Sequence, residues 1–314
     1  MPAVIDGPTL ARLLDPASLV AALAEGFKTA PPQPPRTHLS IKGVGVDDAT
    51  LLLMPAWNAR YTGVKTATIH PSNGNLGLPS VHGAYLLKDT TTGKDLAFID
   101  GTLLTRLRTA AASALASQFL SRPDSSTLLM VGAGSLAPHL IRAHSVVRPI
   151  RRVLVWNRSM DAVQPLIGEL DMPIEPVSDL DGAVAQADII SCATLSTTSL
   201  VRGDLLQNGT HLDLVGAYRS DMRESDAQAV LRSQVFVDTH DAARHEAGDL
   251  IRAAAETDWS FDQVRGDLAG LCSGRAPGRT DPEAITLFKS VGASLEDLIA
   301  AGLAWERFKA ENGI

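Results

Sequence analysis

The sequence predicts an α/β protein, a doubly wound parallel sheet joined to an α+β domain. Two observations carry this. Residues 128–159 read LLMVGAGSLAPHLIRAHSVVRPIRRVLVWNRS: an apolar run, a glycine turn, a helical pattern and a second apolar run. Beyond Thr127 short apolar runs keep alternating with helical stretches, whereas residues 1–125 mix helix with consecutive strand-like runs. Strand, glycine turn, helix and strand in that order open a Rossmann dinucleotide-binding unit, and strand–helix alternation builds a parallel sheet.

Taken in order, residues 18–29 have helical spacing, with Leu19, Leu23 and Phe27 on one face. The run Pro31-Pro32-Gln33-Pro34-Pro35 reads as a stiff connector. Strand-like runs follow at 38–41, 50–54, 62–69 and 84–87. Asp89-Thr90-Thr91-Thr92-Gly93 is a turn before the strand at 96–99, which makes a hairpin. A long helix, roughly 102–119, leads to a boundary near Ser121-Arg122-Pro123-Asp124. Further strands are expected at 174–177, 188–193, 211–215 and 235–238, all in the parallel sheet. After about Thr280 a helix with Ile285, Phe288, Leu295, Leu298 and Ile299 at its apolar positions closes the chain and returns to the first domain. The expected domains are 1–122 with 290–314, and 123–289.

The glycine turn has specific chemistry. Gly132 permits a sharp turn, and Gly134 lets backbone approach a pyrophosphate with no side chain between. The third fingerprint position is Ala137. Phosphate would sit on free N–H groups at the helix start, where the macrodipole favours negative charge. At the end of the second strand a ribose-reading Asp or Glu would favour NAD, but here stand Asn157 and Arg158, which leave room and positive charge for a 2′-phosphate. The expected cofactor is NADP (NADPH), with NAD as the alternative. Ser135, Ser159 and Thr194 complete the expected cofactor-binding set. Capping of the next helix by Asn157, with Arg158 a solvated charge, is the competing reading.

Bulk properties exclude several classes. Hydrophobic residues make up 45% and charged residues 20% of the 314, an ordinary globular balance. A net charge of −7, without a basic stripe, argues against nucleic acid as a partner. Cys192 and Cys272 lie far apart, which fits neither a disulfide framework nor a metal site. The first residues, MPAVIDGPTLARLLD, do not have the form of a signal peptide, and no run approaches the length of a membrane span. A cytoplasmic protein with no membrane partner is expected.

The motifs Gly63-Val64-Lys65, His70-Pro71, Asn75, Leu78-Pro79, His82-Gly83, Asp89, Thr92-Gly93, Asp100-Gly101 and Leu107-Arg108-Thr109-Ala110-Ala111 resemble the ornithine cyclodeaminase/mu-crystallin family. So does the tail Phe288-Lys289-Ser290-Val291-Gly292 followed by Leu295-Glu296-Asp297. The resemblance covers nearly the whole chain. It implies a substrate-binding and dimerisation domain made from the two chain ends, a central Rossmann domain and a homodimer. Arg36, Lys65 and Arg108 match the family's carboxylate-holding set, so a small carboxylate substrate is expected. The residues support this themselves: a lysine within a strand-like apolar run needs a partner, and an arginine can grip a carboxylate with two parallel hydrogen bonds. Snorkelling of both side chains to water is the competing reading.

Two departures separate this chain from the cyclodeaminase. Tyr218 stands where that enzyme has a catalytic aspartate, in Val215-Gly216-Ala217-Tyr218-Arg219-Ser220-Asp221, and Leu52 stands where it has an acidic residue before Met54-Pro55. Both remove anions suited to the amino groups of ornithine. Asp221 could substitute, but belongs more naturally with Arg223, Glu224 and Asp226 in a polar turn and helix start. His82 is a candidate proton donor or a structural turn residue. The expected activity is NADPH-dependent reduction of a small cyclic ketimine, of the Δ1-pyrroline-2-carboxylate or Δ1-piperideine-2-carboxylate type, with Lys65, Arg108 and Tyr218 as catalytic residues. Alternatives are ornithine cyclodeamination, an NADP-dependent alanine-type dehydrogenase, and a non-catalytic mu-crystallin-like NADPH- and ligand-binding protein.

Overall fold

The structure, a computed structural model, describes residues 1–29, 31–43 and 47–314. Two compact units divide the chain, Met1–Thr109 with Ala293–Ile314 and Ala110–Gly292.

The first unit contains β1 (Ala3–Ile5), α1 (Gly7–Leu13), α2 (Pro16–Thr29), β2 (Thr37–Ile41), β3 (Ala49–Trp57), β4 (Tyr61–Ile69), β5 (Val81–Asp89) and β6 (Asp95–Asp100). Its sheet has the order β1-β6-β5-β4-β3-β2, antiparallel except for the β1–β6 pair. Strand alternation decides the faces. Met54, Tyr85, Leu87 and Ile99 are buried, and so is Lys65. The intervening residues line the other side, where the register aligns Val4, Phe98, Leu86, Val64 and Pro55 in one row. Helix α3 (Gly101–Leu120) follows β6. The division between the units falls inside it, earlier than the boundary near 122 expected from its polar, proline-containing end.

The second unit continues with β7 (Thr127–Val131), α4 (Ala137–Val147), β8 (Arg152–Trp156), α5 (Gln164–Glu169), β9 (Ile174–Pro176), α6 (Leu180–Val184), β10 (Ile189–Cys192) and β11 (His211–Leu214). Then come α7 (Ala227–Leu231), β12 (Ser233–Val237), α8 (His240–Glu246), α9 (Gly248–Glu256), β13 (Gly266–Asp267), α10 (Leu268–Ser273) and β14 (Ile285–Lys289). Every pairing in the sheet β13-β12-β14-β11-β10-β7-β8-β9 is parallel. The chain runs outward from β7 to β8 and β9, then resumes on the other side at β10, so strand order switches between β7 and β10. In such sheets the ligand crevice lies outside the strand carboxyl ends at that switch.

One expected element is corrected. The residues 285–289, read as the start of the closing helix, form strand β14 between β11 and β12. All five are buried and hydrogen-bonded on both sides, so the run has no polar face to mark its period. The closing helix is α11 (Ser294–Asn312), which belongs to the first unit and packs on β3 and β4 and on α2.

Candidate active site

The turn after β7 is built as its glycines demand. Gly132 has φ +107°, and a Cβ there would lie 2.7 Å from the Ala193 carbonyl oxygen, so a side chain is excluded by conformation and by space. This contact joins the ends of β7 and β10 at the switch in strand order. A Cβ on Gly134 would meet no protein atom within 4 Å. Gly134 and Ser135 are exposed, whereas Ala137 is fully buried in the helix–sheet contact. Helix α4 begins with no side-chain cap, and the N–H groups of Gly134, Ser135 and Leu136 meet no acceptor among the described residues. Unengaged donors at a helix start beside a bare glycine fit a pyrophosphate.

Asn157 has a structural task here. Its Oδ1 accepts from the Ala133 N–H at 3.1 Å and its Nδ2 donates to the Ser159 carbonyl at 2.8 Å, which ties the glycine turn to the end of β8. It does not cap the following helix. Arg158 and Ser159 are exposed, and Arg158 forms no ion pair with the described residues.

Farther along the sheet's carboxyl edge, a buried carboxylate organises two loops. Glu224 Oε1 accepts from the Thr194 N–H and hydroxyl at 2.6 and 2.8 Å, and its Oε2 accepts from the Gly216 N–H at 2.6 Å. Asp249 accepts from the Glu224 and Ser225 N–H groups, and Lys289 Nζ lies 3.6 Å from Asp249 and donates to the Leu214 carbonyl at 3.1 Å. Burial, with Asp249 adding to it against the pull of Lys289, raises the Glu224 carboxyl to about 7. Tyr218 follows Gly216 in the loop so held and is half-buried against the core, with no described partner on its hydroxyl. Asp221 is engaged by both Nε and Nη2 of Arg219, and Asp226 caps α7.

In the first unit, the basic residues meet a partner that differs from the expected ones. Lys65 and Arg108 are buried, at 3% and 4% exposure, so neither snorkels to water. Lys65 Nζ donates to Asp297 Oδ1 at 3.0 Å and to Thr105 Oγ1 at 3.2 Å. Arg108 donates through Nε to the same Asp297 Oδ1 at 2.9 Å and through Nη1 to Glu296 Oε2. Both carboxylates come from the first turn of α11, where the helix dipole favours them. Burial and the nearby Arg108 lower the Lys65 ammonium to about 8 against the opposing pull of Asp297. Burial also works against the Arg108 charge, but Asp297 and Glu296 outweigh it and hold its pKa above the usual value. The two N–H groups of Arg108 Nη2 have no described acceptor.

Arg36 is half-buried and immediately precedes the Thr37–Leu53 pair. It stands next to the row Met54–Lys65–Tyr85, two strand spacings from Lys65, about 10 Å. His82 is exposed on β5 and Leu52 faces the core. Sequence reasoning assigned no role to Glu296, Asp297 or the loop-holding Glu224. The signal was present for the first two: consecutive acidic residues inside the apolar helical run Ser294–Asn312 require buried cations.

Comparison with known proteins agrees with this construction. The model of the ornithine cyclodeaminase/mu-crystallin family matches residues 12–312. A Δ1-pyrroline-2-carboxylate reductase from Colwellia psychrerythraea is 40% identical over 255 residues, which span 79% of this chain and 81% of that protein. The structure of Thermococcus litoralis Δ1-pyrroline-2-carboxylate reductase in complex with NADH and L-proline superposes with a TM-score of 0.92 at 30% identity, over 99% of this chain and 98% of that one. An archaeal alanine dehydrogenase dimer with bound NAD gives 0.91 at 25% identity, over 99% and 97%. With its parallel sheet, its glycine turn and its paired buried cations, the chain belongs to the ornithine cyclodeaminase/mu-crystallin family.

Proposed function

We propose that this protein is an NADPH-dependent reductase of a small cyclic α-imino acid, Δ1-pyrroline-2-carboxylate or Δ1-piperideine-2-carboxylate, working in the cytoplasm as a homodimer. The observation that carries the reading is the buried Lys65–Arg108 pair, with Arg108 Nη2 unengaged by the described residues. The two N–H groups of Nη2 can still meet an anion such as a carboxylate, with Lys65 as a second positive charge beside them. Relatives named as Δ1-pyrroline-2-carboxylate reductases support the reaction class.

Arg108 and Lys65 would hold the substrate carboxylate, with Arg36 as third cation, and so fix the orientation of the C=N bond. A bound nicotinamide would supply the hydride. The substrate nitrogen arrives protonated, so the C=N bond becomes CH–NH on gaining one hydrogen with its electron pair, and no side chain need deliver a proton in that step. Tyr218 would donate a hydrogen bond to the nitrogen as its charge falls, or contact the cofactor ribose. Gly132, Gly134, Ser135 and Ala137 would form the pyrophosphate cradle, with Asn157, Ser159 and Thr194 positioning the surrounding loops and Arg158 reading the 2′-phosphate. The absence of a carboxylate at Tyr218 and Leu52 disfavours ornithine, whose second ammonium would lack a counter-charge.

The test is the decay of NADPH absorbance with each imine, run beside NADH and beside pyruvate plus ammonia. Rapid oxidation of NADPH with an imine, and slower oxidation of NADH, is the expected result. Turnover only when ammonia is supplied would replace the reading with an alanine-type dehydrogenase. Tight NADPH binding with no turnover on any of these would replace it with a binding protein.

A further inference from the structure

Within the proposed carboxylate clamp, one residue touches both cations. Asp297 Oδ1 accepts from Lys65 Nζ and from Arg108 Nε, and Asp297 Oδ2 lies 2.8 Å from Nζ. Lys65 arrives from β4, Arg108 from α3 and Asp297 from α11, so a single carboxylate joins three elements of the first unit. Glu296 takes Nη1 of the same guanidinium, and Thr105 takes a second hydrogen of the ammonium. With these donors committed, Arg108 retains the two N–H groups of Nη2.

We propose that Asp297 is a positioning residue for the reductase: it fixes Lys65 and Arg108 in the one arrangement that leaves those donors for the substrate carboxylate, and it keeps Lys65 protonated. This rests on the reductase reading. Charge counting supports it. Lys65, Arg108, Glu296 and Asp297 sum to zero when all are ionised, so the cluster is balanced before substrate enters. A substrate carboxylate would then meet a cluster with no unbalanced negative charge of its own. The groups facing Lys65 are Arg108 on α3, Glu296 and Asp297 on α11, and the Tyr85 phenol paired with it on β5. Of these only the two carboxylates favour the ammonium, and Asp297 is the one in contact. Burial and Arg108 already lower Lys65 to about 8, and losing Asp297 would take it lower.

The experiment compares the full-length wild type with Asp297→Asn and Asp297→Glu. For Asp297→Asn, kcat/KM for the imine should fall about tenfold or more at neutral pH while NADPH affinity stays within about twofold. Its alkaline limb in kcat/KM should move down by about one pH unit or more, and Asp297→Glu should keep the wild-type limb at a reduced kcat. In parallel, the Lys65 titration is followed by NMR of 13C-labelled lysine without substrate, assigned with Lys65→Met. A lower Lys65 midpoint in Asp297→Asn is expected. An unchanged limb and midpoint, with only a loss of thermal stability, would overturn the proposal. If the wild type reduces neither imine, the reductase reading fails, and with it the clamp role of Asp297. The NMR midpoint then still decides whether Asp297 holds the Lys65 proton. Should Asp297→Asn fail to fold, the pH limb and kcat of Asp297→Glu decide: a wild-type kcat there overturns the positioning role.

Discussion

Lys65 and Arg108 share an environment from which water is largely excluded, so removing either leaves a buried carboxylate without its counter-charge. Breaking such a pair costs about 3–5 kcal/mol. Lys65→Met, which keeps the aliphatic stem but removes the charge, should therefore lower stability in denaturant titrations, and Arg108→Lys should lower it less, because it keeps the charge but cannot hold Asp297 and Glu296 at once. Each should also reduce kcat/KM for the imine about a hundredfold or more, because carboxylate orientation is lost; full efficiency in either would end the clamp assignment. As the ammonium is the required form, kcat/KM should decline as pH rises through about 8, where Lys65 loses its proton. Arg158 is the opposite kind of residue. Exposed and with no ion pair among the described residues, its replacement by alanine should leave stability within about 0.5 kcal/mol. The same variant should lose most of its preference for NADPH over NADH in parallel kinetics. From sequence, the need of Lys65 for an anion was legible and the identity of that anion was not. The acceptor lies 232 residues away along the chain, and the one for Arg108 lies 189 away, a pairing that local pattern cannot encode.

The turn between β7 and α4 allows two glycines to be separated by experiment. Gly132→Ala forces a side chain into a positive-φ conformation and against the Ala193 carbonyl, so it should cost about 1–3 kcal/mol and weaken NADPH binding. Gly134→Ala meets no protein atom, so its melting temperature should match wild type while NADPH affinity, followed by fluorescence titration, falls about tenfold or more. Wild-type affinity in Gly134→Ala would remove that residue from the phosphate cradle. This element was the most readable in the sequence because glycine, apolar strand and helical period act within a few residues. Strand β14 was the least readable. Its burial on both sides removes alternation, and apolar residues at 285, 288 and 295 imitate a helical face. Strands β1 and β13, three and two residues long, are too short to carry a period and were not expected at all.

Across the first unit's sheet, the row Val4, Phe98, Leu86, Val64 and Pro55 presents apolar side chains, with Val4 and Phe98 at 72% and 47% exposure. A face of this kind matches the proposed homodimer. Light scattering should give twice the chain mass for the wild type and a monomer for Val64→Glu; a monomeric wild type at micromolar concentration would end that part of the proposal. In the second unit, two buried groups set opposing pH dependences. His211, bonded at Nδ1 to Thr286, is lowered by burial from 6.5 to about 3, so the unfolded chain binds the extra proton and stability rises with pH across that interval. Glu224 is raised by burial from 4.5 to about 7, so the folded chain holds the extra proton and stability falls over that interval. Where the two ranges overlap, the slopes oppose each other. Melting temperature against pH should thus be flatter in the wild type than in Glu224→Gln, which should rise towards 6.5, or in His211→Asn, which should fall towards 7.

The first unit is assembled from both ends of the chain, and its two buried cations are neutralised only by the returning helix α11. During synthesis, residues 1–109 leave the ribosome well before 293–314 exist. At about 5–20 residues per second, the wait lasts ~10–40 s. For that time Lys65 and Arg108 have no carboxylate to meet, and the sheet around them cannot close. The second unit, whose sequence is continuous, gains its central strand β14 only at the end of that interval, just ahead of α11. A nascent chain released before α11 would carry a finished nucleotide fold tethered to an open, charged sheet, a natural substrate for chaperones and proteases.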